Sequence, residues 1–168
     1  MKTFKGKPVT LIGEQVKVGD KVADFKVLNG NLDEVQLSDF KNEYLLISVV
    51  PSLDTAVCDL QTKTVNEEIL KNDKIDIEVI TISNDLPFTQ SRWANEEELE
   101  GVIILSDYLY NDFGKKFGVL MEENKLLARV FYILNKKREI IFMLDVNEQG
   151  QHLDYDKLLN FINELPGK

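Results

Sequence analysis

The sequence predicts an α/β fold, a single domain with a central mixed β-sheet flanked by helices. Three observations carry this. Residues 44–50, Tyr-Leu-Leu-Ile-Ser-Val-Val, are a near-continuous aliphatic run that suits a strand buried on both faces. Apolar runs at 75–82 and 102–105 follow, each after a segment long enough for a helix, an alternation that builds a parallel sheet. Two further runs, 126–134 and 139–146, are joined by polar Asn135-Lys136-Lys137-Arg138 and read as an antiparallel hairpin, which makes the sheet mixed.

In chain order, Val9-Thr10-Leu11-Ile12 and Gln15-Val16-Lys17-Val18 flank Gly13-Glu14 and predict an N-terminal β-hairpin. Residues 25–28 and 34–37 read as short strands around Asn29-Gly30-Asn31, and Ser38-Asp39-Phe40 as a helical turn leading to the central strand. Pro51 cannot donate to a ladder and ends that strand. Residues 58–69 contain neither Gly nor Pro and read as a helix. The strand at 75–82 should pair parallel with 44–50 because a helix separates them. Pro87 opens a second helix through Trp93, since Pro is tolerated at a first helical position. A short helix at 111–117 is expected to be interrupted by Gly114. Tyr155, Leu158, Leu159, Ile162 and Leu165 recur at helical spacing, with Asp154 as N-cap and Pro166-Gly167 as the stop. Strands alternating with helices, closed by a hairpin and a helix, describe a thioredoxin-like sandwich over residues 1–168.

With 168 residues, 43% of them apolar, the chain can bury one sizeable core and is not disordered. Its net charge of −9 repels phosphate backbones and anionic membranes, so neither nucleic acid nor membrane is expected as a partner. The acidic run at 96–100 is read as a solvated helix face. A lone cysteine cannot form an internal disulfide, and no long apolar segment follows a basic one at the N-terminus. Both suit a reducing cytoplasm. One Cys and one His are too few for a conventional zinc site, and no metal or cofactor is expected.

Cys58 falls near a helix start beyond the carboxyl end of a core strand, where α/β folds place their chemistry. Unpaired N–H groups and the partial positive charge of a first helical turn favour an anionic sulfur there. Thr55, three residues earlier, shares that face and can bond whatever meets the sulfur. On spacing alone, an activated thiol and a small buried core residue are both open readings.

Pro51, Thr55 and Cys58 match the P-x-x-x-T-x-x-C pattern, and the fuller Val49-Val50-Pro51-Ser52-Leu53-Asp54-Thr55-Ala56-Val57-Cys58 resembles the thiol peroxidase branch of the peroxiredoxins. Ser83-Asn84-Asp85-Leu86-Pro87-Phe88, Arg92-Trp93, Leu105-Ser106-Asp107, Phe113-Gly114, Phe117-Gly118-Val119 and Leu126-Leu127-Ala128-Arg129 extend the resemblance over nearly the whole chain. It implies a peroxidase in antioxidant defence that reduces hydrogen peroxide and organic hydroperoxides through a Cys58 sulfenic acid. Thr55 would bond the peroxide, Pro51 would shield the sulfur, and backbone N–H groups of Val57 and Cys58 would face the oxygens. Arg129, a charge in an apolar strand, is costly unless paired and matches the family's strand arginine. Its alternative is an edge-strand residue facing water. Gln61, one turn beyond Cys58, is a candidate substrate contact whose plainer reading is an exposed helix residue. Asp54 and Asp59 are read as turn and cap residues, Trp93 as packing, and His152 as an incidental surface residue.

Family members of the atypical two-cysteine type carry their resolving cysteine where this chain has Ala94, after Arg92-Trp93. A natural one-cysteine variant and a deliberate replacement both account for it. In either case oxidised Cys58 must meet an external thiol, another protomer or overoxidation. The implied partners are a hydroperoxide, thioredoxin or another thiol reductant, and a second copy in a homodimer. The competing reading is a redox-sensing module of the same fold that does not turn over. A Cys–His hydrolase would require His152 beside Cys58.

Overall fold

A computed structural model describes residues 1–168. The chain runs β1 (Thr3–Phe4), β2 (Lys7–Pro8), β3 (Leu11–Ile12), β4 (Lys26–Leu28), β5 (Glu34–Gln36), β6 (Tyr44–Val49), α1 (Ala56–Leu70), β7 (Ile77–Ser83) and α2 (Pro87–Glu96). It continues through β8 (Ile103–Ser106), α3 (Asp112–Phe117), β9 (Leu120–Met121), β10 (Val130–Leu134), β11 (Ile140–Asp145) and α4 (Tyr155–Asn163). Seven strands form the main sheet in the order β11-β10-β6-β7-β8-β4-β5. The β6–β7–β8 core is parallel, and every other pair is antiparallel. The expected mixed sheet is therefore present, with β6 near its middle.

Alternation along β6 assigns its two faces. Leu45, Ile47 and Val49 join Phe25, Ile80, Leu105, Phe113, Phe117 and Tyr132 beneath α3. Leu46 joins Val65 and Ile69 of α1, Phe131 and Ile133 of β10, and Leu158 and Ile162 of α4. Period-two side chains on a strand buried on both faces require this arrangement. α1 and α4 thus cover one face and α3 the other.

The N-terminal hairpin exists but not where Gly13-Glu14 placed it. β1 and β2 pair Thr3 with Pro8 and Phe4 with Lys7 around Lys5-Gly6. Both turn residues have positive φ, 51° and 76°, as a two-residue primed turn requires. β3 instead pairs with β9, and after Gly13 the chain runs along the end of α3, where Val16 N donates to Phe117 O at 3.2 Å. Gly118 caps α3 with φ 69°, and a Cβ there would meet Glu14 and Gln15 backbone at 2.5 Å.

Three further readings are corrected. Gly114 does not interrupt α3; it lies inside the helix because a Cβ would meet Leu127 Cδ2 at 2.8 Å. The acidic run is the end of α2 and the turn after it, with Glu97 at the C-cap and Glu98 at φ 53°. Arg129 stands one residue before β10 rather than inside a strand. Pro87 opens α2 at its first position, behind the N-cap Leu86, and Asp154 caps α4 as expected, its side chain accepting from Lys157 N.

Candidate active site

β6 ends at Val49, and Pro51 lies buried just beyond it. The following turn is fixed by Asp85, which accepts from Ser52 Oγ (2.7 Å), Leu53 N (2.8 Å) and Ser83 Oγ (2.7 Å). Thr55 is the N-cap of α1: its hydroxyl accepts from Cys58 N at 3.4 Å and donates to Ser52 O at 3.1 Å. The first intrahelical bond is Asp59 N to Thr55 O (2.9 Å), so the N–H groups of Ala56 and Val57 have no partner within the helix. Cys58 is the third residue of this first turn, and Val57 beside it is half-buried.

The sulfur is fully enclosed, with 0% of the residue exposed. Val50, Leu53 and Trp93 pack with it, and Ala94, Leu99 and Ile104 back that cluster. Cys58 therefore satisfies the core-residue reading in its packing, but its polar contact is not a core contact. Arg129, 2% exposed, donates from Nη2 to Cys58 Sγ at 3.1 Å. Its Nη1 donates to Gln61 Oε1 (2.9 Å) and its Nε to Gln149 O (2.9 Å). None of the molecule's ion pairs includes Arg129. A buried guanidinium without a carboxylate is electrostatically incomplete, and the sulfur is the one neighbour in this set that can become an anion.

Gln61 is not an exposed helix residue. It is fully buried, and its Nε2 donates to Ser48 Oγ (2.9 Å) and more weakly to Val49 O (3.4 Å) while its oxygen receives Arg129. Sharing the Cys58 face one turn on was the available signal, because a helix face carrying a buried sulfur must itself be buried. Gln149 was missed altogether: it sits in an irregular loop after β11 with no periodicity to mark it. Tyr155, half-buried at the start of α4, has its hydroxyl pushed to higher pKa by burial. Arg129 lowers it in part, and a negative sulfur raises it.

The other candidates divide cleanly. Trp93 packs beside the sulfur, and its Nε1 donates to Asp59 Oδ1 at 2.8 Å. Asp59 and Glu97 both pair with Lys63, and Asp54 pairs with Arg92 at 3.3 Å, so these carboxylates stitch α1 and its turn to α2. His152 is exposed, and its hydrogen-bond partner is the Tyr155 hydroxyl at 3.3 Å, which removes the Cys–His arrangement. No group of three or more His, Cys, Asp or Glu side chains is placed to hold a metal ion.

Residues 18–143 match the AhpC/TSA family along three quarters of the sequence. The chain belongs to the AhpC/TSA family. Within it, the chain is 48% identical over 157 residues to the thiol peroxidase of Halalkalibacterium halodurans, covering 94% of this chain and 93% of that one. It is 46% identical over 155 residues to the thiol peroxidase of Bacillus subtilis, covering 92% of each. Among solved structures, a peroxiredoxin-like protein from Aquifex aeolicus superposes with a TM-score of 0.88 at 34% identity, over 97% of this chain and 95% of that one. A thiol peroxidase from Chromobacterium violaceum shares the fold at 19% identity, with a TM-score of 0.84 over 97% and 95%. An AhpC/TSA domain of thioredoxin-like architecture thus carries the sulfur and the arginine described above.

Proposed function

We propose that this AhpC/TSA chain is a thiol-dependent peroxidase acting through Cys58. The observation that carries the reading is a buried Arg129 with no carboxylate partner, aimed from 3.1 Å at the chain's only thiol. That geometry stabilises negative charge on the sulfur before the reaction and on the oxygens during it.

The thiolate attacks one peroxide oxygen in line. An S–O bond forms as the O–O bond breaks, and the leaving alkoxide or hydroxide takes up a proton to give alcohol or water. Thr55 gives up its bonds to Ser52 O and Cys58 N for the peroxide, which frees the Cys58 N–H to face the oxygens with that of Val57, and Pro51 excludes water. Gln61 holds Arg129 rather than contacting the substrate itself. The resulting sulfenic acid is reduced by two equivalents of an external thiol, giving water and that donor's disulfide, because the chain has no second cysteine. Substrates are hydroperoxides and the reductant is a thiol. Within those classes we infer hydrogen peroxide and alkyl hydroperoxides, and thioredoxin as donor in a reducing cytoplasm. Exposed Leu86, Phe88, Leu109 and Tyr110 supply apolar surface for the homodimer, which light scattering tests.

Stoichiometric peroxide in the presence of a sulfenic-acid trap should label Cys58, as read by peptide mass. An unlabelled Cys58 removes the peroxidase reading. The enclosed sulfur and Ala94 favour a second reading, an oxidant sensor without useful turnover. Repeated turnovers with thioredoxin or a small thiol select the enzyme, whereas a single equivalent consumed selects the sensor.

A further inference from the structure

We propose that Gln149, seated by the N-terminal hairpin through Glu148, is the positioning residue that aims Arg129 at the reacting sulfur; this rests on the peroxidase reading above. Gln149 takes two donors from one arginine. Its Oε1 accepts from Arg129 N at 2.5 Å, and its backbone oxygen accepts from Arg129 Nε at 2.9 Å. The main chain and the side chain of Arg129 are thereby fixed by the same residue, and the remaining freedom of the guanidinium is taken by Gln61 and the sulfur. Gln149 is fully buried, and its Nε2 closes the loop on Val146 O (2.8 Å) and Asn147 O (3.4 Å).

The loop that presents Gln149 has no regular structure of its own, and its anchor is the start of the chain. Thr3 N donates to Asn147 O (2.9 Å), and Gln149 N donates to Thr3 O (2.8 Å). The Glu148 carboxylate collects Thr3 Oγ1 (2.6 Å), Lys5 N (2.9 Å), Gly6 N (3.1 Å) and Gly150 N (3.1 Å). Lys2 Nζ adds a bond to Val146 O at 2.9 Å. A two-stranded hairpin is marginal by itself, so hairpin and loop hold each other. The contact path runs from Thr3 through Glu148 and Gln149 to Arg129 and Cys58. A guanidinium is useful here as a fixed fork, and a small rotation would take Nη2 out of reach of the sulfur.

The test is a double-mutant cycle. Gln149→Ala should lower kcat/KM for hydrogen peroxide about tenfold, a fraction of the ~10²–10³ expected for losing a whole preorganised donor. In an Arg129→Ala background the same change should cost nothing further, because its effect passes through the arginine. Glu148→Ala should lower the rate in the same direction and be equally silent without Arg129. An activity-independent readout is the pH profile of the thiolate's ultraviolet absorbance, with the tyrosine signal removed by subtracting Cys58→Ser. The charged or titratable groups facing the sulfur's surroundings are Arg129, bonded to it, Asp59 and Lys63 on its own helix, Asp54 in the preceding turn, Arg92 and Glu97 at the covering α2, and Tyr155 on α4. Gln149→Ala should move that profile to higher pH. If Gln149→Ala does not fold, Glu148→Ala and Thr3→Ala complete the cycle. Equal losses with and without Arg129, or an unmoved rate and absorbance profile in folded variants, overturn the proposal. A wild-type protein without turnover sinks the peroxidase reading instead, and the absorbance profile still reports whether Gln149 aims the cation.

Discussion

Arg129 is held at three donor atoms by three different residues, and only one of them, Cys58, can become charged. Arg129→Ala should therefore slow peroxide reduction by ~10²–10³ in stopped-flow measurements, the usual loss of one preorganised donor. Arg129→Lys should recover little, because an ammonium is a point charge that cannot bridge Gln61, Gln149 and the sulfur together. An unchanged rate in either variant removes Arg129 from the reaction. Asp107 supplies a separate test. Burial pushes its carboxyl up to about 6, against the opposing N–H bonds from Gly114 and Phe113. A folded-state value raised above the unfolded one stabilises the protein below about 3.8, and that contribution is lost as pH rises through about 6. Urea unfolding from pH 4 to 7 should show this falling component, at most ~3 kcal/mol, and Asp107→Asn should abolish it. Cys58 and Thr55 were legible as a pair near a helix start, but spacing left the thiol's role open, as it did Arg129's, and only the resemblance to the peroxiredoxin pattern singled them out. Gln61 and Gln149 were not legible, since a glutamine reads as polar surface until the cation it serves has been placed.

At the scale of elements, α1 presents the sulfur and α2 covers it. Trp93 and Ala94 of α2 pack into the cluster around Cys58, and the Arg92–Asp54, Trp93–Asp59 and Lys63–Glu97 contacts tie the two helices at their edges. Ala94→Cys should therefore form an internal disulfide after one equivalent of peroxide, visible on a non-reducing gel and as a mass loss of two hydrogens. A variant that stays reduced or dimerises would show that α2 cannot bring position 94 to the sulfur. The N-terminal hairpin carries its own acid sensitivity. Hydrogen bonds from Thr3, Gly6, Gly150 and Lys5 depress the Glu148 carboxyl to about 2. A depressed value stabilises above the ordinary carboxylate range and is lost as pH falls through about 2. Hydrogen exchange at Thr3 and Gln149 amides should accelerate over that acid range before the exchange of β6, and Glu148→Gln should show the acceleration already at neutral pH. The hairpin's location was misread because Gly13 carried the obvious turn signal. Lys5-Gly6 is the true turn, and Gly13 serves a close approach instead: a Cβ there would meet Lys115 O at 2.7 Å.

Across the whole molecule, β6, β7 and β10 each send side chains into both cores, so the two faces should lose structure together. The larger core is organised by aromatic contacts: Phe25 meets Phe113 and Phe117 edge-on at 5.0 and 5.7 Å, and Phe117 meets Tyr132 at 5.2 Å. Phe117→Ala should destabilise the protein by ~3–5 kcal/mol in urea unfolding, with one transition rather than two. A loss under about 1 kcal/mol would mean that the cavity collapses around the missing ring. The α/β class was legible because continuous apolar runs separated by helix-length segments leave few other ways to bury them. Strand order was not, since the placement of β4 and β5 at the far edge depends on contacts distant in sequence.

One sulfur per chain also sets a ceiling on covalent assembly. Under oxidant, a molecule with a single thiol can link to one neighbour and then has nothing left to link with, so disulfide cross-linking stops at pairs. Because that thiol is enclosed, two sulfurs can join only if both are first brought to the surface, so oxidant-driven pairing should be far slower than for an exposed cysteine.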